Sequence, residues 1–124
     1  MIMVKIFFSS LLFVLSTSIM AESLDGIWRL SDKPVWITIE SDVGLVSFSE
    51  NDPDARGKML LRNLKMTEAG TRWQGQIYIK QLKAYRDASI VLTSADSMEI
   101  NVKVGFIRRT VEWSRDTEIP ALAD

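Results

Sequence analysis

Apolar and polar residues alternate along much of the chain, most regularly in Ser97-Met98-Glu99-Ile100-Asn101-Val102-Lys103-Val104. An extended strand sends successive side chains to opposite faces, so this segment predicts a strand with one buried and one wetted face. The same rule fits Val35, Ile37 and Ile39 against Trp36, Thr38 and Glu40. It also fits Trp73, Gly75, Ile77 and Ile79 against Arg72, Gln74, Gln76 and Tyr78, and Ala88, Ile90 and Leu92 against Ser89, Val91 and Thr93. Further segments at residues 26–30, 44–49, 58–66 and 107–115 bring the predicted strands to about eight. Asp32-Lys33-Pro34, Ser41-Asp42, Asn51-Asp52-Pro53-Asp54 and Ala69-Gly70 separate them with turn chemistry. Short strands joined by short turns predict an all-β antiparallel meander that curls into a barrel or a sandwich.

One segment fits two patterns. Residues 55–68 carry Leu60, Leu61 and Leu64 on what could be one helical face, with Asp54 as an N-cap and Gly70 as a stop. Gly57 in the first turn weakens that helix, and on pattern alone strand and helix stay open.

The first 21 residues break the alternation altogether. Lys5 precedes an apolar run from Ile6 to Leu15, and small and polar residues follow as far as Ala21. This is the layout of a cleavable secretory signal, with cleavage expected after Ala21 or, less well matched, after Ser18. The apolar run is about ten residues against the roughly twenty that span a bilayer, so no stable membrane anchor is expected once it is removed. The chain then divides into a signal at 1–21, a barrel domain at 22–116 and a tail at 117–124. A periplasmic location follows as the expectation.

Composition removes whole classes of chemistry. The chain has no cysteine and no histidine, which excludes disulfides, thiolate nucleophiles, imidazole-ligated metals and Ser-His-Asp relays. No cofactor and no metal site are expected. The net charge is −1 and falls by one more unit with Lys5, a balance that gives no footprint for nucleic acid or an anionic membrane. Asp52-x-Asp54 with Gly57 faintly resembles a calcium loop, but Arg56 stands at the third ligand position and Asn63 where a bidentate glutamate belongs. Asp25, Glu40, Asp52, Asp87, Glu99 and Glu112 are available for a carboxylate pair, yet no neighbour singles any of them out. No catalytic residue is assigned.

The aromatic and basic residues say more. Trp28, Trp73 and Trp113 fall where alternation places core residues, whereas Trp36 lies opposite Val35, Ile37 and Ile39 and is a candidate exposed contact, together with Tyr78. In the last strand Ile107, Arg109, Val111, Trp113 and Arg115 share a face, so two arginines either close the fold or meet a ligand carboxylate.

Gly26-Ile27-Trp28 at the start and an arginine beside a tryptophan at the end resemble the ends of lipocalin-like barrels. That resemblance implies a small calycin-like barrel sealed by Trp28, Trp113 and Arg115. A more specific pattern, Gly26-x-Trp28, Asp52-Pro53, Gly57, Leu64-Lys65, Trp73-x-Gly75-x-Ile77-Tyr78, Tyr85, Gly105 and Trp113-x-Arg115, resembles an exported bacterial family known as domain of unknown function 2147. It spans nearly the whole chain after the signal. Where that family has an Asp-Pro turn and a glycine before its tyrosine, this chain has Ile79-Lys80-Gln81-Leu82-Lys83-Ala84, so a site built on that turn would be altered. The resemblance also assigns residues 55–68 to strand.

Two functions compete. One is a non-catalytic binder of a small apolar or amphipathic ligand held by Trp73, Ile77, Ile79, Met98, Ile100 and Arg109. The other is a protein-interaction module, an inhibitor or an assembly or envelope-stress accessory, that meets an envelope protein through Trp36 and Tyr78. An eight-stranded barrel can hold one small ligand or be filled by its own side chains.

Overall fold

The computed structural model describes residues 23–68 and 70–120, so the expected signal at 1–21 lies outside the described residues. Eight strands follow one another: β1 (Gly26–Leu30), β2 (Val35–Glu40), β3 (Val43–Ser49), β4 (Met59–Glu68), β5 (Arg72–Ile79), β6 (Ala84–Ser94), β7 (Ser97–Val104) and β8 (Ile107–Asp116). A one-turn 3-10 helix, Pro53–Ala55, lies between β3 and β4. Each strand pairs antiparallel with the next, and β8 returns to β1, with Trp28 opposite Arg115 and Leu30 opposite Trp113. The meander is therefore a closed barrel, which leaves no edge strand exposed to pair with another chain.

The inward alternation fills most of the interior. Trp28, Ile37, Ile39, Leu61, Ile90, Met98 and Ile100 are fully buried, and Trp73, Ile77, Val102 and Trp113 join them in one core. Because the strands alternate in direction, the two ends of the barrel differ. One end gathers the start of β1, the end of β8 and the β2–β3, β4–β5 and β6–β7 turns. The other end carries the β1–β2, β3–β4, β5–β6 and β7–β8 connections.

Strand β4 explains why residues 55–68 read two ways. Its register with β5 shifts between Arg62 and Lys65, and Asn63 has a positive φ of 56°. This bulge turns both Leu61 and Leu64 inward, at a spacing of three that imitates a helix. Leu64 then crosses over Gly75 of β5. A Cβ there would lie 2.6 Å from Leu64 Cδ2 and 3.1 Å from the Arg62 carbonyl oxygen, so only glycine fits at that crossing.

Candidate functional site

The end of the barrel where β1 begins is plugged. Trp28 is fully buried and its Nε1 donates to the Leu24 carbonyl at 2.8 Å. The Arg115 guanidinium carbon lies 4.3 Å from the centre of the Trp28 ring. Its three nitrogens donate to three carbonyls: Nε to Ala95 at 3.0 Å, Nη1 to Asp25 at 2.8 Å and Nη2 to Ser23 at 3.1 Å. One planar cation thus joins the β6–β7 turn to the segment before β1 and covers the indole face, a geometry lysine cannot copy. Gly26 makes room for it. Its φ is +132°, and a Cβ there would sit 3.0 Å from Arg115 Nη1.

The opposite end is open. Ile77, Ile79, Val102, Val104 and Val111 line a cavity of about 310 Å³ at the mouth, with Leu82, Ile107, Gln81 and Arg109 around its rim. It lies at the small end of the range of roughly 300–1,000 Å³ typical of ligand sites. Arg109 pairs with Val102 in register and so takes the inner face of β8. Arg86 pairs with Ile77 and takes the inner face of β6 at the same end. Counting back by twos from Ala88 reaches Arg86, so its inward position is written in the alternation of the strand. The inward positions near this mouth, Ile79, Ala84, Arg86, Val104, Ile107 and Arg109, include two guanidiniums and no carboxylate.

Of the six residues expected to hold a ligand, Ile77, Ile79 and Arg109 meet at this cavity. Trp73, Met98 and Ile100 are buried deeper, in the packed interior. Gln81, Leu82, Val102, Val104, Ile107 and Val111 complete the lining. Four other depressions have greater volumes: a shallow one of about 330 Å³ beside Thr38 and Arg56, a largely apolar one of about 340 Å³ formed by Val46, Ala55, Met59, Leu60 and Tyr78, and two that are polar and open. Of the two polar ones, one of about 450 Å³ borders Gln74, Asp87, Asn101 and Arg108 and the other, of about 490 Å³, borders Asp32, Arg109 and Glu112, and neither offers an apolar enclosure.

Trp113 is buried and packs opposite Met98 and Leu30. Its Nε1 is the one buried side-chain nitrogen or oxygen without a hydrogen-bond partner among the described residues. Tyr78 stacks edge-on against Tyr85 with ring centres 5.3 Å apart, and Arg62 lies 3.7 Å over the Tyr85 ring.

Trp36 sits on the outer face but is half-buried and already engaged. Phe48 meets it edge-on at 5.6 Å, Arg29 lies over it at 5.2 Å, and its Nε1 donates to Asp116 Oδ2 at 3.0 Å. That indole, followed by the Thr117 backbone N–H, holds the Asp116 carboxyl below the ordinary aspartate range. A carboxyl lowered on folding stabilises in full above its unfolded value and loses that contribution as pH falls through the lowered one. The Trp36 indole N–H resonance is therefore expected to shift on acidification with its midpoint below the ordinary aspartate value of about 3.9. A midpoint at or above that value would contradict the contact.

Fold and site together define a closed eight-stranded antiparallel β-barrel with one sealed end, a packed interior and a small apolar cavity at the other end. Comparison of the chain with protein-family models, curated proteins and solved structures found no match.

Proposed function

We propose that the barrel binds a small amphipathic molecule, its apolar part in the mouth cavity and an anionic head beside Arg109 and Arg86. The observation that carries this reading is the pairing of an apolar lining with the Arg109 guanidinium at its rim, Arg86 standing on the inner face of the same end by register. A buried tail gains from leaving water, and an arginine fork selects a carboxylate or phosphate oxygen over a neutral end group. The site has neither imidazole nor thiol, and among the described residues no three acidic side chains gather to hold a metal. Its residues favour holding a molecule over transforming one. The signal-like N terminus supports an exported, periplasmic protein, and the resemblance to the exported family of unknown function agrees with that address. The alternative, an interaction module, rests more on Tyr78 than on Trp36, whose ring and N–H are already occupied.

The test uses anilinonaphthalene sulfonate, an apolar anion, as the probe. It is expected to bind with enhanced fluorescence and to be displaced by medium-chain fatty acids. Arg109→Gln is expected to weaken binding by about tenfold, the scale of one charge-assisted hydrogen bond at a partly exposed site. Val104→Trp, which fills the cavity, is expected to abolish it while circular dichroism stays unchanged. Equal affinity in all three proteins would sink this reading.

A further inference from the structure

The small net charge conceals a segregation along the barrel axis. Residues 79–86 and 102–111, which form the β5–β6 and β7–β8 tips and their flanks, contain Lys80, Lys83, Arg86, Lys103, Arg108 and Arg109 and no carboxylate. The β1–β2 and β3–β4 connections at the same end are mixed, with Asp32, Glu50, Asp52 and Asp54 beside Lys33, Arg56 and Lys58, whereas the sealed end carries Asp25, Glu40, Asp42, Asp96 and Asp116 against Arg72 and Arg115. Among the described residues only Lys80 of the six tip cations is in an ion pair, with Asp52 at 3.6 Å, and both partners are well exposed.

The same tips expose apolar side chains that the core does not use. Val104 pairs with Ile107, so Gly105 and Phe106 form a two-residue turn, and Gly105 has a φ of +65°. Glycine with positive φ at the first turn position suits a tight hairpin and puts Phe106 at its outermost point. Phe106 is fully exposed, Ile107 is 64% exposed and Leu82 of the neighbouring tip is 40% exposed. Leu82 and Ile107 border one rim, so the exposed apolar group is shared by two adjacent hairpins.

We infer that these two tips dock the barrel, mouth first, on the surface of an anionic phospholipid bilayer. Phe106, Ile107 and Leu82 enter the headgroup boundary, and the long cationic side chains around them reach lipid phosphates while their stems follow the apolar side chains. Charge complementarity selects this occupant. The two carboxylate-free tips face an anionic surface while the acidic sealed end is turned away, and three protruding side chains suit shallow insertion better than a flat protein interface, which buries far more area. Docking of this kind is reversible and distinct from an anchor. It does not rest on the cavity being a ligand site, because Phe106, Lys83, Lys103 and Arg108 do not line it.

The experiment is vesicle co-sedimentation of the protein expressed from its full sequence, with its N terminus determined by mass spectrometry. Vesicles of phosphatidylglycerol mixed with phosphatidylcholine are compared with phosphatidylcholine alone. Binding to the anionic vesicles is expected to be at least about tenfold tighter and to weaken with added salt. Phe106→Ser is expected to reduce it by about tenfold, the order of one buried phenyl ring. The triple variant Lys83→Gln, Lys103→Gln, Arg108→Gln is expected to lose roughly fivefold for each charge removed. Lys65→Gln, on β4 away from the tips, is expected to bind as the parent does. An N-terminal apolar run, if retained, acts equally in every variant and cannot produce these differences. No preference for anionic vesicles, or a preference that survives both tip variants, would overturn the proposal. Loss of probe binding in the cavity with vesicle binding intact would remove the ligand reading and leave this one standing.

Discussion

Trp28→Ala is expected to cost about 3–5 kcal/mol of folding stability, the range for removing a large aromatic side chain from a packed core. Trp28 is fully buried, and its removal opens a void beneath the Arg115 guanidinium and leaves the Leu24 carbonyl without its donor. A domain of this size is stabilised by only about 5–15 kcal/mol, so the variant sits close to unfolding at ordinary temperature. Guanidinium chloride denaturation followed by circular dichroism measures the loss. Trp28→Phe separates the two contributions, since it keeps a ring under the cation and removes the N–H, at an expected cost of about 1–2 kcal/mol. If the alanine variant lost only about 1 kcal/mol, typical of any single substitution, Trp28 would not be the keystone of this end.

Arg115→Ala ranks second, at about 2–4 kcal/mol, because it releases three carbonyl partners and uncovers the indole face. The Asp96 carboxylate, 3.8 Å away and 81% exposed, adds little to that figure. Arg115→Lys is expected to recover less than half the loss, since an ammonium cannot aim donors at three carbonyls from one plane. A double-mutant cycle with Trp28→Phe should show coupling of about 0.5–2 kcal/mol. Full rescue by lysine, or no coupling, would reduce Arg115 to an ordinary surface charge.

Most of the barrel is legible in the chain because alternation is a direct record of which face is buried. The pattern from Ser97 to Val104 coincides with β7, and β1 and β2 likewise match their predicted bounds. Strand β6 begins at Ala84, four residues before the clean Ala88, Ile90, Leu92 pattern, because Arg86 is an inward residue at an open mouth and reads as polar. Strand β4 was ambiguous because one bulge, paired with a glycine on the next strand, replaces the two-residue period locally. Pattern alone could not choose between barrel and sandwich either. That choice depends on β8 meeting β1, a pairing between positions about ninety residues apart that no local window contains.

The site was legible in part for a similar reason. Ile77, Ile79 and Arg109 stood on inward faces by alternation, but depth along the axis decides whether an inward residue is core or cavity wall. Trp73, Met98 and Ile100 went to the core. Leu82 could not be found from the pattern, since it lies in the β5–β6 turn, where side-chain direction follows turn geometry. Net charge was misleading as a guide to surfaces. It sums over the whole surface, and the cationic β5–β6 and β7–β8 tips cancel against the acidic sealed end in it.

The Arg115 seal also has a kinetic side. Its hydrogen bonds to Ser23 and Asp25 join the two extremes of the barrel, with sequence separations of 92 and 90 residues. Contacts of such range raise contact order and slow folding, because the loop-closure entropy is lost before the contact forms. Until β8 has been synthesised and has paired, β1 presents an unsatisfied edge and Trp28 has no lid. The incomplete chain is thus open to strand exchange and aggregation during that interval, and sealing is a late folding event that converts a sticky meander into an inert barrel.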